Sequence, residues 1–95
     1  MTRLEQLTTV YTKLEELNTK YLMAKNTRDK RRRDKAIRDA RNDISTYSAF
    51  IPYDIKEIFD SQVGANSLNF QHADDIGQCI DILKKLIMEE KSNNY

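Results

Sequence analysis

The eleven residues from Lys25 to Lys35 contain no apolar side chain, while on both sides of them apolar residues recur at three- and four-residue spacing. A helix that packs needs an unbroken apolar stripe. One continuous helix through residues 3–48 would lose its seam in the middle, because positions 25, 28, 32 and 35, which continue the phase of the first heptads, are all Lys or Arg. Two architectures remain: a helical hairpin whose turn is this charged stretch, or a rod with a charged centre. No Gly or Pro lies in the stretch to decide between them.

Upstream, Thr2 and Glu5 form a capping-box pattern ahead of Leu4, Leu7, Val10, Tyr11, Leu14, Leu17, Tyr21 and Leu22, which predicts a first helix over about 3–25. Leu7, Leu14 and Tyr21 fall seven apart, as do Leu4, Tyr11 and Asn18, giving the spacing of a coiled-coil seam with one polar interruption. Val10 and Leu17 broaden that seam to the stripe of a globular bundle, the packing preferred here. Asn26 or Thr27 is a candidate cap for a second helix over about 27–48, with Ala36, Ile37, Ala40, Ile44 and Tyr47 on its apolar face. Pro52 suits the opening of a short helix over about 52–62, with Ile55, Ile58 and Phe59 turned inward and Gly64 at its end. Residues 61–69 have loop composition, and Asn69 can cap a long helix over about 70–90 whose face is Ile76, Cys79, Ile80, Leu83, Leu86 and Ile87.

These segments predict a single all-α domain over residues 1–95, a small helical bundle built from a long hairpin, a short corner helix and a long final helix. Only two Gly and one Pro in a chain that is 33% charged agree with mostly helix and almost no strand. A 95-residue chain buries only about 60–65% of the surface its unfolded form exposes. A homo-oligomer is therefore expected, joined through Leu7, Tyr11, Leu14 and Tyr21 on the first helix and Leu83 and Ile87 on the last.

Charge is distributed unevenly. The net charge of +1 divides into 12 basic and 6 acidic groups in residues 1–41 against 4 and 9 in residues 42–95. Arg28, Arg31, Lys35 and Arg38 follow one another at helical spacing on one face, and with Lys25 and Arg32 they form a candidate surface for a nucleic acid or nucleotide phosphate. The competing reading is a solvated helix face, partly neutralised within the helix by Asp34 with Arg38, Asp29 with Arg33 and Lys35 with Asp39, each four apart. Arg33 stands apart because it sits one turn before Ile37, at the edge of the apolar face. There it could snorkel or meet an acid on a neighbouring helix, or, in an oligomer, line a shared pocket for a small anion with Tyr21 or Tyr11 as a stacking surface and Lys25 as a second phosphate contact.

No catalytic, metal or nucleotide motif rises above background. His72, Asp75 and Cys79 share one side of the last helix, but structural zinc needs four ligands and the chain has no other His or Cys. The His and Cys are two turns, roughly 10 Å, apart along a helix axis, too far for the imidazole to activate the thiol. No metal or cofactor is expected, and no enzymatic activity. The lone Cys79 fits a reducing compartment. The first residues carry no signal-peptide pattern, and no apolar run approaches the roughly 18 residues that span a bilayer, so a cytoplasmic location without a membrane role is expected. The resulting expectation is a non-enzymatic helical interaction module, oligomeric, a regulator or inhibitor of a partner protein; the alternative is a binder of a phosphate-bearing ligand through residues 25–41.

Overall fold

The computed structural model describes residues 2–93. Its elements are α1 (Arg3–Lys25), α2 (Lys30–Ser48), α3 (Tyr53–Gln62), a 3-10 turn (Phe70–Asp75) and α4 (Ile76–Ser92), with no strand among the described residues. The chain reverses within the charged stretch, at residues 26–29, and Lys30 to Lys35 is the first part of α2. α1 and α2 pack against each other as a hairpin, and α4 lies along the other side of α1. Cross-helix pairs fix the directions: Lys20 bonds Asp43 and Lys13 lies over the Tyr47 ring, so α2 runs antiparallel to α1. Tyr21 bonds Asp74, ahead of α4, which makes α4 antiparallel to α1 as well.

α1 begins where the capping box places it. The Thr2 hydroxyl accepts the Glu5 N–H at 3.1 Å and the Glu5 carboxylate accepts the Thr2 N–H at 3.4 Å. Its inner face buries Leu7, Val10, Leu14, Leu17, Tyr21 and Ala24. α2 starts at Lys30, later than the expected 27, and its cap is Asp29, whose carboxylate accepts the Arg32 N–H at 3.1 Å. Asn26 and Thr27 are occupied with ending α1: their N–H groups donate to Leu22, Met23 and Ala24 carbonyls, and the Thr27 hydroxyl donates to the Met23 carbonyl at 3.2 Å. Asp29 is the next side chain able to cap.

α3 buries Ile55 and Phe59 completely. Arg3 bonds Asp54, placing the α2–α3 corner beside the start of α1. The loop after α3 folds back on a carboxylate: Asp60 accepts from Lys56 at 2.6 Å and from the Ser67 N–H and hydroxyl at 3.2 and 3.0 Å. Burial alone would raise the Asp60 pKa, but the Lys56 and Ser67 bonds outweigh it and hold the carboxyl below its ordinary value. Leu68 in this loop has a φ of 67°, a conformation that costs an ordinary residue roughly 1–2 kcal/mol. Its side chain is fully buried, which holds it there.

Asn69 caps as expected, accepting the His72 N–H at 2.8 Å. The helix it opens differs from the expected continuous 70–90 helix, because residues 70–75 are wound as 3-10, His72 departs from helical geometry (φ −113°, ψ 28°), and the α-helix proper begins at Ile76. The irregular turn coincides with two contacts from α2, where Arg41 donates to the Phe70 carbonyl at 3.1 Å and to the Asp74 carboxylate at 3.4 Å. The core is one cluster joining all four α-helices and the loop, including Leu14, Ile44, Phe59, Leu68, Ile76, Cys79 and Leu83.

Candidate anion-binding surface

α2 has two halves of different character. Its only buried residues are Ala40 and Ile44, and none lies in Lys30–Asp39. That first half, with the turn Asn26–Asp29, forms the end of a molecule 51 Å long and 20–23 Å across. The α2–α3 corner sits at the opposite end, the length of α1 away, roughly 33 Å at 1.5 Å per residue.

Arg28, Arg31, Arg32, Lys35 and Arg38 are exposed, as is Lys30, while Arg33 is half-buried. Among the described residues none of these seven has a carboxylate within 4.0 Å; the cations that are paired are Arg3, Lys13, Lys20, Lys25, Arg41 and Lys56. The intrahelical neutralisation anticipated from Asp34 with Arg38, Asp29 with Arg33 and Lys35 with Asp39 does not form. Asp29 has turned to the helix N-terminus to cap it, which accounts for the second pair. On α2, Arg31, Arg32, Lys35 and Arg38 cover roughly 120° of circumference and roughly 10 Å of axis. The patch ends toward the body at Asp39 and Asp43, which face Lys20 of α1 and raise its pKa, chiefly through the Asp43 bond.

Lys25 lies apart from this group. Its ammonium donates to Asp74 at 3.1 Å and sits 4.3 Å from the centre of the Tyr21 ring. The Tyr21 hydroxyl donates to the same Asp74 oxygen at 2.5 Å, and Arg41 reaches the other oxygen. Three donors from α1 and α2 thus converge on one carboxylate ahead of α4. They hold the Asp74 carboxyl below its ordinary range, the Tyr21 bond contributing most; burial first and then the Asp74 bond push the Tyr21 phenol up. Asp74 fills the space between Lys25 and Arg41 that an external anion would need. Tyr11 is half-buried beside Glu15, whose hydrogen bond raises its pKa, and within one copy Lys25 and the Tyr21 hydroxyl are both taken up by Asp74.

The residues expected at an oligomer seam are placed inside one copy. Leu7, Leu14, Tyr21 and Leu83 are buried in the chain's own core, and Tyr11 and Ile87 pack half-buried against it. Among the described residues, the large apolar side chains left outside are Leu22, Met23, Phe50, Tyr53, Phe70 and Met88. His72 is exposed and Cys79 is buried, and no three His, Cys, Asp or Glu among the described residues are grouped to hold a metal ion. Burial pushes the Cys79 thiol up to about 12, with Asp75 adding to the effect, so it stays protonated.

Sequence reasoning located the cationic stripe but missed Arg41, Phe70 and Asp74 as a joined group. The only hint was an Arg at the end of the basic run and an Asp near the start of the last helix. No protein-family model, curated protein or solved structure matches the chain, which leaves the residues and their geometry as the basis for its function.

Proposed function

We propose that the protein is a non-catalytic helical interaction module whose working surface is the basic end of the α1–α2 hairpin and whose partner is anionic. The observation that carries this reading is the set of seven cations from Arg28 to Arg38, gathered at one end of the molecule with no carboxylate within 4.0 Å among the described residues, whereas the other unpaired cations, Lys84, Lys85 and Lys91, are fewer and lie on α4. Such a concentration of like charge repels itself and destabilises the free protein slightly. An anionic partner relieves that cost. The rigid body sets the direction of the patch, and Asp74 keeps Lys25 and Arg41 out of it. The protonated, buried Cys79 supports a role without nucleophilic chemistry.

Retention on heparin at low salt, with elution as salt rises, is the expected result for the intact chain. Passage through the column at low salt would remove the reading. Replacing Arg31 and Lys35 by Gln should advance elution, whereas replacing Lys84 and Lys85 on α4 should leave it unchanged.

A second reading is favoured by the α2–α3 corner, where Phe50 is 75% and Tyr53 81% exposed on either side of Pro52. Paired aromatics of this kind suit a protein partner or a second copy. Light scattering on the intact chain and on Phe50→Ser tests it: a discrete oligomer that the substitution dissociates supports a self-contact there, and an unchanged mass argues against one.

A further inference from the structure

Building on the anionic partner proposed above, we infer that this partner is duplex DNA, held by its phosphates through Arg31, Arg32, Lys35 and Arg38 of α2 together with Arg28 of the turn, without reading of base sequence. Four observations favour that class. Four of the five groups are Arg, whose planar fork matches a phosphate in a two-bonded fashion that an ammonium cannot.

From Lys25 to Lys35 there is no aromatic or aliphatic side chain. A surface for single strands stacks successive bases on aromatic rings, and the one ring near these cations, Phe70, lies at the Arg38 end and is faced by the Arg41 guanidinium. The other apolar side chains exposed at this end, Leu22 and Met23, belong to α1, so the cationic face of α2 itself has no apolar anchor for a membrane or a protein interface.

Shape agrees with charge. α2 stands at the end of the molecule with its outward face clear, and a helix of about 10–12 Å diameter fits the roughly 12 Å major groove of B-form DNA. Arg31 and Arg38 lie on one flank of that face and Arg32 on the other, with Lys35 between them, an arrangement that reaches phosphates on both walls of a groove. The deep, narrow major groove of an RNA duplex does not admit such a helix.

Finally, the exposed positions among the cations are Asp34 and Asp39, with Asn42 one turn beyond Arg38. With the five cations assigned to phosphates, the side chains left for bases are two carboxylates, which pair only with the cytosine amino group, and Asn42 at the edge, so the phosphates carry the binding. Asp39 and Asp43 limit the footprint on the body side.

Fluorescence anisotropy with a labelled duplex of about 20 base pairs tests the inference. Five phosphate contacts give a log affinity against log salt slope of about −4.5 for B-form DNA. Two duplexes of unrelated sequence should bind within about threefold of each other, since backbone contacts carry no sequence information. A single strand of the same length and an RNA duplex should each bind at least about tenfold more weakly, given the missing stacking surface and the narrow groove. Arg31→Gln with Lys35→Gln should flatten the slope by about 1.8 units, and Lys84→Gln with Lys85→Gln should not move it. Helicity by circular dichroism checks the folding of each variant. Should the first pair fail to fold, Arg28→Gln in the turn replaces it, with an expected change of about 0.9 units.

Single strands, RNA duplexes or phosphatidylserine vesicles bound as tightly as the DNA duplex would overturn the DNA assignment and leave the anionic partner standing. A second copy of the chain competing through its acidic half would do the same. Failure of heparin, vesicles and every nucleic acid to bind at low salt would overturn both.

Discussion

The two halves of α2 are joined by one backbone and governed by different physics. From Ala40 to Ser48 the helix is held by what it buries, Ala40 and Ile44, and by pairs made across the hairpin, Lys20 with Asp43 and Lys13 with Tyr47. From Lys30 to Asp39 it is held by helix propensity, by the Asp29 cap and by the half-buried Arg33, Ala36 and Ile37 on its inner side. Stability resides in the first region and net charge in the second. Substitutions in the body should therefore register in stability and those at the tip in binding.

The largest effect belongs to the body. Phe59→Ala should lower unfolding free energy by roughly 3–5 kcal/mol and Leu14→Ala by roughly 2–5, since both side chains are completely buried. Denaturant unfolding measures this. A loss below about 1 kcal/mol at both positions would mean that the four-helix core is wrongly drawn.

Asp29→Ala lies at the border between the regions, and the lost cap should cost about 1 kcal/mol. The loss should come with fraying of α2 from its first turn, seen as faster amide exchange near Arg32. No change in exchange there would move the cap elsewhere.

Asp74→Asn should have a smaller effect. The Asp74 side chain is 56% exposed, and solvent screening holds its ion pairs to a few tenths of a kcal/mol each, with the Tyr21 bond bringing the total to about 1. Its folded pKa is depressed, so its contribution is present above the unfolded value near 3.9 and is lost as pH falls through the folded one. The stability gap between the wild type and Asp74→Asn should therefore be constant near neutral pH and close below about pH 4. A gap that persisted to the acid end would show that the carboxylate charge is not what the three donors recognise.

Least of all should be felt at the tip. Arg31→Gln should change stability by no more than about 0.5 kcal/mol in either direction, while shifting the salt dependence of binding. A larger loss of stability would mean that the exposed cations support the fold, and the contrast between the halves of α2 would fail.

Much of this architecture was legible in the residues because it depends on local signals. The Thr2 and Glu5 box and the Leu7 to Tyr21 stripe defined α1 to its observed bounds, and Pro52 with Gly64 bracketed α3 closely. Errors arose where two local signals competed or where a distant residue intervened. Asn26 and Thr27 were the expected caps of α2, and only the hydrogen bonds ending α1 remove them and leave the cap to Asp29. The 3-10 winding of Phe70–Asp75 follows contacts from Arg41, about thirty residues earlier, which no local pattern encodes. The same holds for the site. The cationic stripe is a property of spacing and was visible, whereas the withdrawal of Lys25 to Asp74 depends on a pairing 49 residues apart. The residues expected at an oligomer seam pack within the chain's own core, and spacing does not say whether a helix facing them belongs to the same chain.

The absence of buried side chains between Arg28 and Asp39 also has an evolutionary consequence. The exposed positions of this segment, Arg28, Lys30, Arg31, Arg32, Asp34, Lys35, Arg38 and Asp39, can be exchanged or reversed in charge without a compensating change in the core, provided Arg33, Ala36 and Ile37 keep the inner side. The hairpin end is thus free to follow a changing partner while the body that displays it stays fixed, which makes it the segment where variants of this protein should differ most.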